Sequence, residues 1–138
     1  MTARSQPFQF RLDALSGVPV YRQIIDQVMA GIAAGRLAPG NQLPTVRQLA
    51  VDLAINPNTV TRAYREMEIR GVLETQQGSG TFISQREIQR DDVERQRRLD
   101  QITGEFVARA GSEGFEVQDL LDRLNALQKE SAKSGKRR

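Results

Sequence analysis

The chain has 138 residues with no Cys and no His, and Lys+Arg 20 against Asp+Glu 17 leaves a net charge of +3. That inventory excludes a disulfide scaffold, a thiolate or imidazole metal site, a cysteine nucleophile and a His-dependent triad. Its length suits one ordinary domain, or a small domain with a helical appendage.

The charge is modest and neither half of the chain is a polycation, so any contact with nucleic acid has to come from a few placed residues rather than a bulk field. No run of about 18 apolar residues could span a membrane, and the start, MTARSQPFQFR, lacks an apolar signal segment. The expectation is a soluble cytoplasmic protein with no membrane partner. No group of carboxylates or lysines forms a recognisable catalytic set, so a non-enzyme without metal or cofactor is expected.

Pro19 at a first-turn position opens the first helix, because its missing N–H removes no helical bond. Val20, Ile24, Ile25, Val28 and Ile32 then give it one apolar face, and Gly35 ends it. From Leu37 to Pro44, two prolines and a glycine predict an ordered connector. Thr45 and Gln48 have capping-box form, with the threonine hydroxyl capping the turn and Gln48 reaching back to the Thr45 amide. Val46, Leu49, Ala50 and Leu53 share one side of this second helix, which ends near Ile55. Asn56-Pro57 restarts the chain as N-cap and first helical residue of a third helix. Its apolar stripe is Val60, Ala63, Tyr64 and Met67, and Gly71 suits its C-terminal cap. So little chain separates helices two and three that only a steep helix-turn-helix crossing lets both stripes share one core.

Two β-prone runs, Val72–Thr75 and Thr81–Ser84, flank Gln76-Gln-Gly-Ser-Gly80 and predict a hairpin with a glycine-rich tip. Beyond it Ser84 and Glu87 form a second capping box, opening a highly charged helix with the ladder Leu99, Ile102, Phe106 and Ala110. The segment Gly111-Ser-Glu-Gly114 breaks that helix. Val117, Leu120, Leu121, Leu124 and Leu127 define an amphipathic last helix, and the polar, basic end is expected to be frayed. Two such helices on a small domain leave apolar surface exposed unless a second copy of the chain covers it.

With its stripe turned inward, the third helix leaves Asn58, Thr59, Thr61, Arg62 and Arg65 on outer faces. These are side chains a major groove uses: Asn and Arg for base edges, Thr for phosphates or thymine methyls. The free amides at the helix start would attract phosphate as well. Alone, such a face reads as solvated surface; within the order helix, turn, helix, wing it reads as a DNA surface. Arg47, in the first turn of the second helix, reads as a phosphate clamp, with an ion pair to Asp52 or Glu66 as the rival reading. The wing tip, with Gly78, Ser79, Gly80 and Thr81, reads equally as a plain tight turn or as a close approach to the DNA backbone. Lys133, Lys136, Arg137 and Arg138 read as a solvating terminus, and the sign-alternating run from Arg86 to Asp100 as a solvated helix.

Taken together, Ser16-Gly-Val-Pro-Val-Tyr-Arg-Gln23, Leu37–Ala50, Asn56–Tyr64, Gly71–Thr75 and Gly78–Phe82 resemble the GntR family of bacterial transcription regulators, in its short YtrA-like branch. The likeness covers residues 8 to 84. It implies a winged helix-turn-helix repressor that binds a palindromic operator in double-stranded DNA as a homodimer. It places Arg47, Asn58, Thr59, Thr61 and Arg62 in the DNA-contacting region and Gly78 at the wing tip. Many members carry arginine where this chain has Thr61; here the basic residue comes one place later, at Arg62.

The expected architecture is α+β, mainly α. A winged helix-turn-helix domain spans 8–84, a two-helix dimerisation segment 85–130 and a basic, disordered tail 131–138. The expected dimer interface is Leu99, Ile102, Phe106, Val117, Leu120, Leu121, Leu124 and Leu127. The sequence neither indicates nor excludes a small-molecule effector. The rival function is a winged-helix module for protein interaction without specific DNA binding.

Overall fold

The computed structural model describes residues 8–85 and 91–136. Helix α1 (Val20–Ala33) begins one residue later than predicted, with Pro19 as N-cap at φ −54° rather than in the first turn. Ile24, Ile25 and Val28 on its inner face are fully buried. A strap of residues 8–13 and a turn at 14–16 precede it, and two glutamines one helical turn apart hold the strap by their side-chain amides. The Asp13 N–H donates to Gln23 Oε1 at 2.8 Å while Gln23 Nε2 donates to the Asp13 carbonyl at 3.0 Å. Gln27 does the same for Arg11, accepting from its N–H at 2.8 Å and donating to its carbonyl at 2.6 Å. Phe8 and Phe10 meet edge to face at 5.0 Å, and Phe10 is buried in the core.

The predicted connector holds a short strand, β1 (Gln42–Leu43), that sequence periodicity could not show over two residues. Helix α2 (Val46–Leu53) follows at the predicted cap, where Thr45 Oγ1 accepts the Gln48 N–H at 3.1 Å. The other half of the capping box does not form. The Gln48 side chain turns forward instead and donates to Asp52 Oδ1 at 2.8 Å, a bond along one helix face. Ala54 closes α2 in the left-handed region, φ 54° and ψ 47°. Helix α3 (Pro57–Ile69) then starts as predicted, with Asn56 Oδ1 accepting the Asn58 N–H at 2.8 Å and Pro57 in the first turn.

α3 is the hub of the domain, packing against α1, α2 and the first wing strand. Val60, Ala63, Tyr64 and Met67 are all buried, as the apolar stripe requires. The Tyr64 hydroxyl donates to the Pro44 carbonyl at 2.6 Å, fastening α3 to the loop ahead of α2. The wing strands are β2 (Leu73–Gln76) and β3 (Gly80–Ile83). β3 is central in an antiparallel sheet of order β1-β3-β2, with Leu43 opposite Thr81 and Leu73 opposite Ile83. The wing is therefore three-stranded rather than a free hairpin, and Leu43, Leu73 and Ile83 carry its inner face into the core.

A second compact unit holds α4 (Asp92–Ser112) and most of α5 (Val117–Lys136). Asp91 caps α4 by accepting the Val93 N–H at 3.2 Å; the predicted box at Ser84 and Glu87 lies partly outside the described residues. Gly111 stays inside α4, and the break falls at Glu113 and Gly114, where the Phe115 N–H returns to the Ala110 carbonyl at 2.9 Å. α5 remains helical through Lys136, into the segment expected to be disordered; residues 131–136 hold no proline to end it, although Gly135 and two serines are weaker helix formers than its Ala and Lys. Arg137 and Arg138 lie outside the described residues. α4 and α5 do not pack side by side. Leu99, Ile102, Phe106, Val117, Leu121, Leu124 and Leu127 are left exposed, and Leu120 half-buried. Among the described residues no helix is long and apolar enough to cross a membrane.

Candidate nucleic-acid interface

Opposite its buried stripe, α3 carries Asn58, Arg62 and Arg65, all exposed. They fall at i, i+4 and i+7, the spacing that puts side chains on one helical face. Thr59 and Thr61 are half-buried and sit on the two flanks of that face, not on it. The structure thus brings three of the five predicted α3 residues into one outward stripe.

The predicted supply of free amides at the start of α3 is absent. Pro57 has no N–H, the Asn58 N–H is taken by Asn56 Oδ1, and the Thr59 N–H donates to the Asn56 carbonyl at 3.0 Å. A strong side-chain cap and an anion site compete for the same donors. At α2, by contrast, Thr45 engages the Gln48 amide and leaves the first-turn N–H groups of Val46 and Arg47 without an acceptor among the described residues.

The carboxylates near the interface are engaged elsewhere. Asp52 accepts from Gln48, Glu66 pairs with Arg70 at 3.5 Å, and Glu68 accepts from the Thr75 hydroxyl at 2.7 Å, which also ties β2 to α3. Arg47 consequently has no ion pair among the described residues, and neither of its rival partners holds it. Arg65 is likewise free among them. Arg62 is different: its guanidinium carbon lies over the Tyr21 ring, 3.9 Å from the centroid. Nothing in the spacing of residues signals that contact, because Tyr21 belongs to another helix and 40 intervening residues hide the pairing.

At the wing, the Ser79 N–H donates to the Gln76 carbonyl at 3.0 Å and Gly78 lies at φ +83°, where a side chain would be strained. Gly78 and Ser79 are exposed and Gly80 half-buried. Thr81 is buried, because alternation along β3 turns it inward opposite Leu43, so its side chain does not belong to the outer surface. One residue went unpredicted: Gln42 of β1, whose Nε2 donates to the Ser79 carbonyl at 3.1 Å.

Two helices joined by a short turn, an outward polar and basic stripe on the second, and a small antiparallel sheet with a glycine-rich tip define a winged helix-turn-helix DNA-binding domain. Residues 20–83 match the sequence description "Bacterial regulatory proteins, gntR family". YhcF of Bacillus subtilis, an uncharacterized HTH-type transcriptional regulator, is 36% identical over 112 residues, covering 81% of this chain and 92% of YhcF. The chain belongs to the gntR family of bacterial regulatory proteins, a family of regulators rather than enzymes, and to its short YtrA-like branch. YtrA of Bacillus subtilis, an HTH-type transcriptional repressor, is 45% identical over 75 residues, covering 54% of this chain and 58% of YtrA. Among solved structures, the GntR-family transcription factor YtrA of Sulfolobus acidocaldarius superposes with TM-score 0.53 at 31% identity, covering 72% of this chain and 97% of that one. A Listeria monocytogenes EGD-e protein described as a transcriptional antiterminator shares the fold over 91% of this chain and 94% of its own, with TM-score 0.67 at 23% identity.

Proposed function

We propose that the chain is a sequence-specific transcriptional repressor that binds a palindromic operator as a homodimer in the cytoplasm. The observation that carries this reading is the outward α3 stripe of Asn58, Arg62 and Arg65, whose arginines no carboxylate among the described residues neutralises. α3 enters the major groove, where Asn and Arg read base edges. Arg47 and the first-turn amides of α2 meet a phosphate, and the tip at Gly78 and Ser79 touches the neighbouring backbone. The exposed apolar ladders of α4 and α5 pair two copies, and the twofold symmetry of such a pair matches two half-sites about one helical turn, roughly 34 Å, apart. The named repressor among the relatives supports the sign of regulation.

The test is to select duplexes from a random-sequence pool with the full chain and titrate their affinity against salt. The expected outcome is an enriched inverted repeat whose binding weakens steeply with ionic strength, with a shallower slope for Arg47→Ala. Absence of any enriched sequence, with flat salt dependence, would leave the protein-interaction reading in its place.

A further inference from the structure

The geometry points to Tyr21 as a positioning residue that holds Arg62 for reading a base edge, an inference that rests on the DNA-binding reading above. Arg62 stands in the outward stripe of α3 between Asn58 and Arg65, yet it alone of the three interface arginines has a platform. Its guanidinium lies over the Tyr21 ring at 3.9 Å from the centroid, well inside the range of a cation–π contact. Arg47 and Arg65 carry the same charge with no ring contact or ion pair among the described residues.

The two situations suit different tasks. A phosphate is met well by a mobile charge, since its position carries no sequence information. A base edge needs the planar donor fork at one place and angle, to meet the paired acceptors of a guanine. The Tyr21 ring lies against the guanidinium, and Arg62 makes no hydrogen bond or ion pair among the described residues, so its donors stay available to a base. The ring itself is fixed, because Tyr21 is half-buried and packed against the domain core, on the helix whose Ile24 and Ile25 are buried beside it. Its hydroxyl makes no hydrogen bond among the described residues, so the ring rather than the phenol does the holding. Tyr21 therefore joins the recognition surface from a helix that itself contributes no group to the outward stripe.

The experiment uses the full chain, a duplex it selects from a random pool, and a scrambled duplex of the same length. Tyr21→Phe should bind both duplexes within about twofold of wild type, since the ring face is kept. Tyr21→Leu should lose about tenfold in the ratio of selected to scrambled affinity, the worth of a partly desolvated cation–π contact. Its salt slope and scrambled-duplex affinity should stay the same. In an Arg62→Ala background, Tyr21→Leu should cost nothing further, a result that lost stability alone would not produce. The inference is overturned if Tyr21→Leu keeps full discrimination, weakens both duplexes equally, or costs as much without Arg62 as with it. Failure of the wild-type chain to enrich any duplex is a separate result, and it overturns the DNA-binding reading itself.

Discussion

Gln42 of β1 and Ser79 of the wing tip, 37 positions apart in the chain, are joined by one bond: the glutamine amide donates to the serine carbonyl at 3.1 Å. The same amide fills the space where a side chain on Gly80 would go, since a Cβ there would meet Gln42 Nε2 at 2.6 Å. β1 thus sets the shape of the tip although it contributes no residue to it. Gln42→Ala should cost no more than about 1 kcal/mol of stability, because the bond is solvent-exposed. It should nonetheless speed amide exchange at Ser79 and Gly80 and weaken operator binding. Unaltered exchange at both amides would show that the tip keeps its shape unaided.

Ala54 is the one non-glycine residue among the described residues with positive φ. A left-handed alanine costs about 1–2 kcal/mol, while glycine gives back roughly 0.4–1 kcal/mol through its freer unfolded chain. Ala54→Gly should therefore raise stability by roughly 0.5–1 kcal/mol, read as a higher urea midpoint at constant slope. A lower midpoint would contradict the strain assigned to this turn.

Tyr64 gives the domain an alkaline limit. Burial pushes its phenol well above the ordinary value of 10.0. Below pH 10 both folded and unfolded chains hold the proton, and the contribution to stability is intact; above it the unfolded chain releases the proton first, and stability falls toward the folded value. The loss approaches about 1.4 kcal/mol per pH unit. Tyr64→Phe should be about 1 kcal/mol less stable at neutral pH, because the Pro44 carbonyl loses its 2.6 Å donor. Its stability should decline less between pH 10 and 11 than that of wild type. Parallel pH profiles for the two proteins would assign the alkaline limit to other groups.

Leu124 lies midway along the α5 ladder and is half exposed in one copy of the chain. Leu124→Glu keeps helix propensity and places a charge where the second copy should pack. Dimer affinity should fall by about 30-fold or more, the size of an interface hot spot, as sedimentation velocity would show. Helix content should be unchanged. A dimer of undiminished affinity would move the interface away from this face.

The recognition helix was legible because three independent local signals agreed: the Asn56-Pro57 start, the stripe of Val60, Ala63, Tyr64 and Met67, and Gly71 beyond its end. What the sequence hid was long-range or very short. β1 is two residues long, too short for any alternation to be seen. The glycines beside Thr81 mark a tip and point to a surface position, whereas the pleat of β3 turns it inward. Gln48 had two compatible partners, and the choice of Asp52 over the Thr45 amide was settled only by side-chain direction. The contacts of Arg62 with Tyr21 and of Gln42 with Ser79 join residues 41 and 37 positions apart, where spacing carries no information.

The paired amides of Gln23 and Gln27 work as a ruler. Two residues of extended chain advance about 6.6 Å and four residues of helix about 6 Å, so Arg11 and Asp13 come level with side chains one helical turn apart. Toward the paired strap residue each glutamine uses one donor and one acceptor, as a neighbouring strand would, and the strap is held in register without a strand beside it. A one-residue deletion between Asp13 and Gln23 would bring the strap's opposite face to the helix and could not keep all four bonds. Replacing either glutamine by glutamate would preserve size and remove the donor. The loop ahead of α1 should therefore resist changes of length more strongly than its exposed, variable-looking composition suggests.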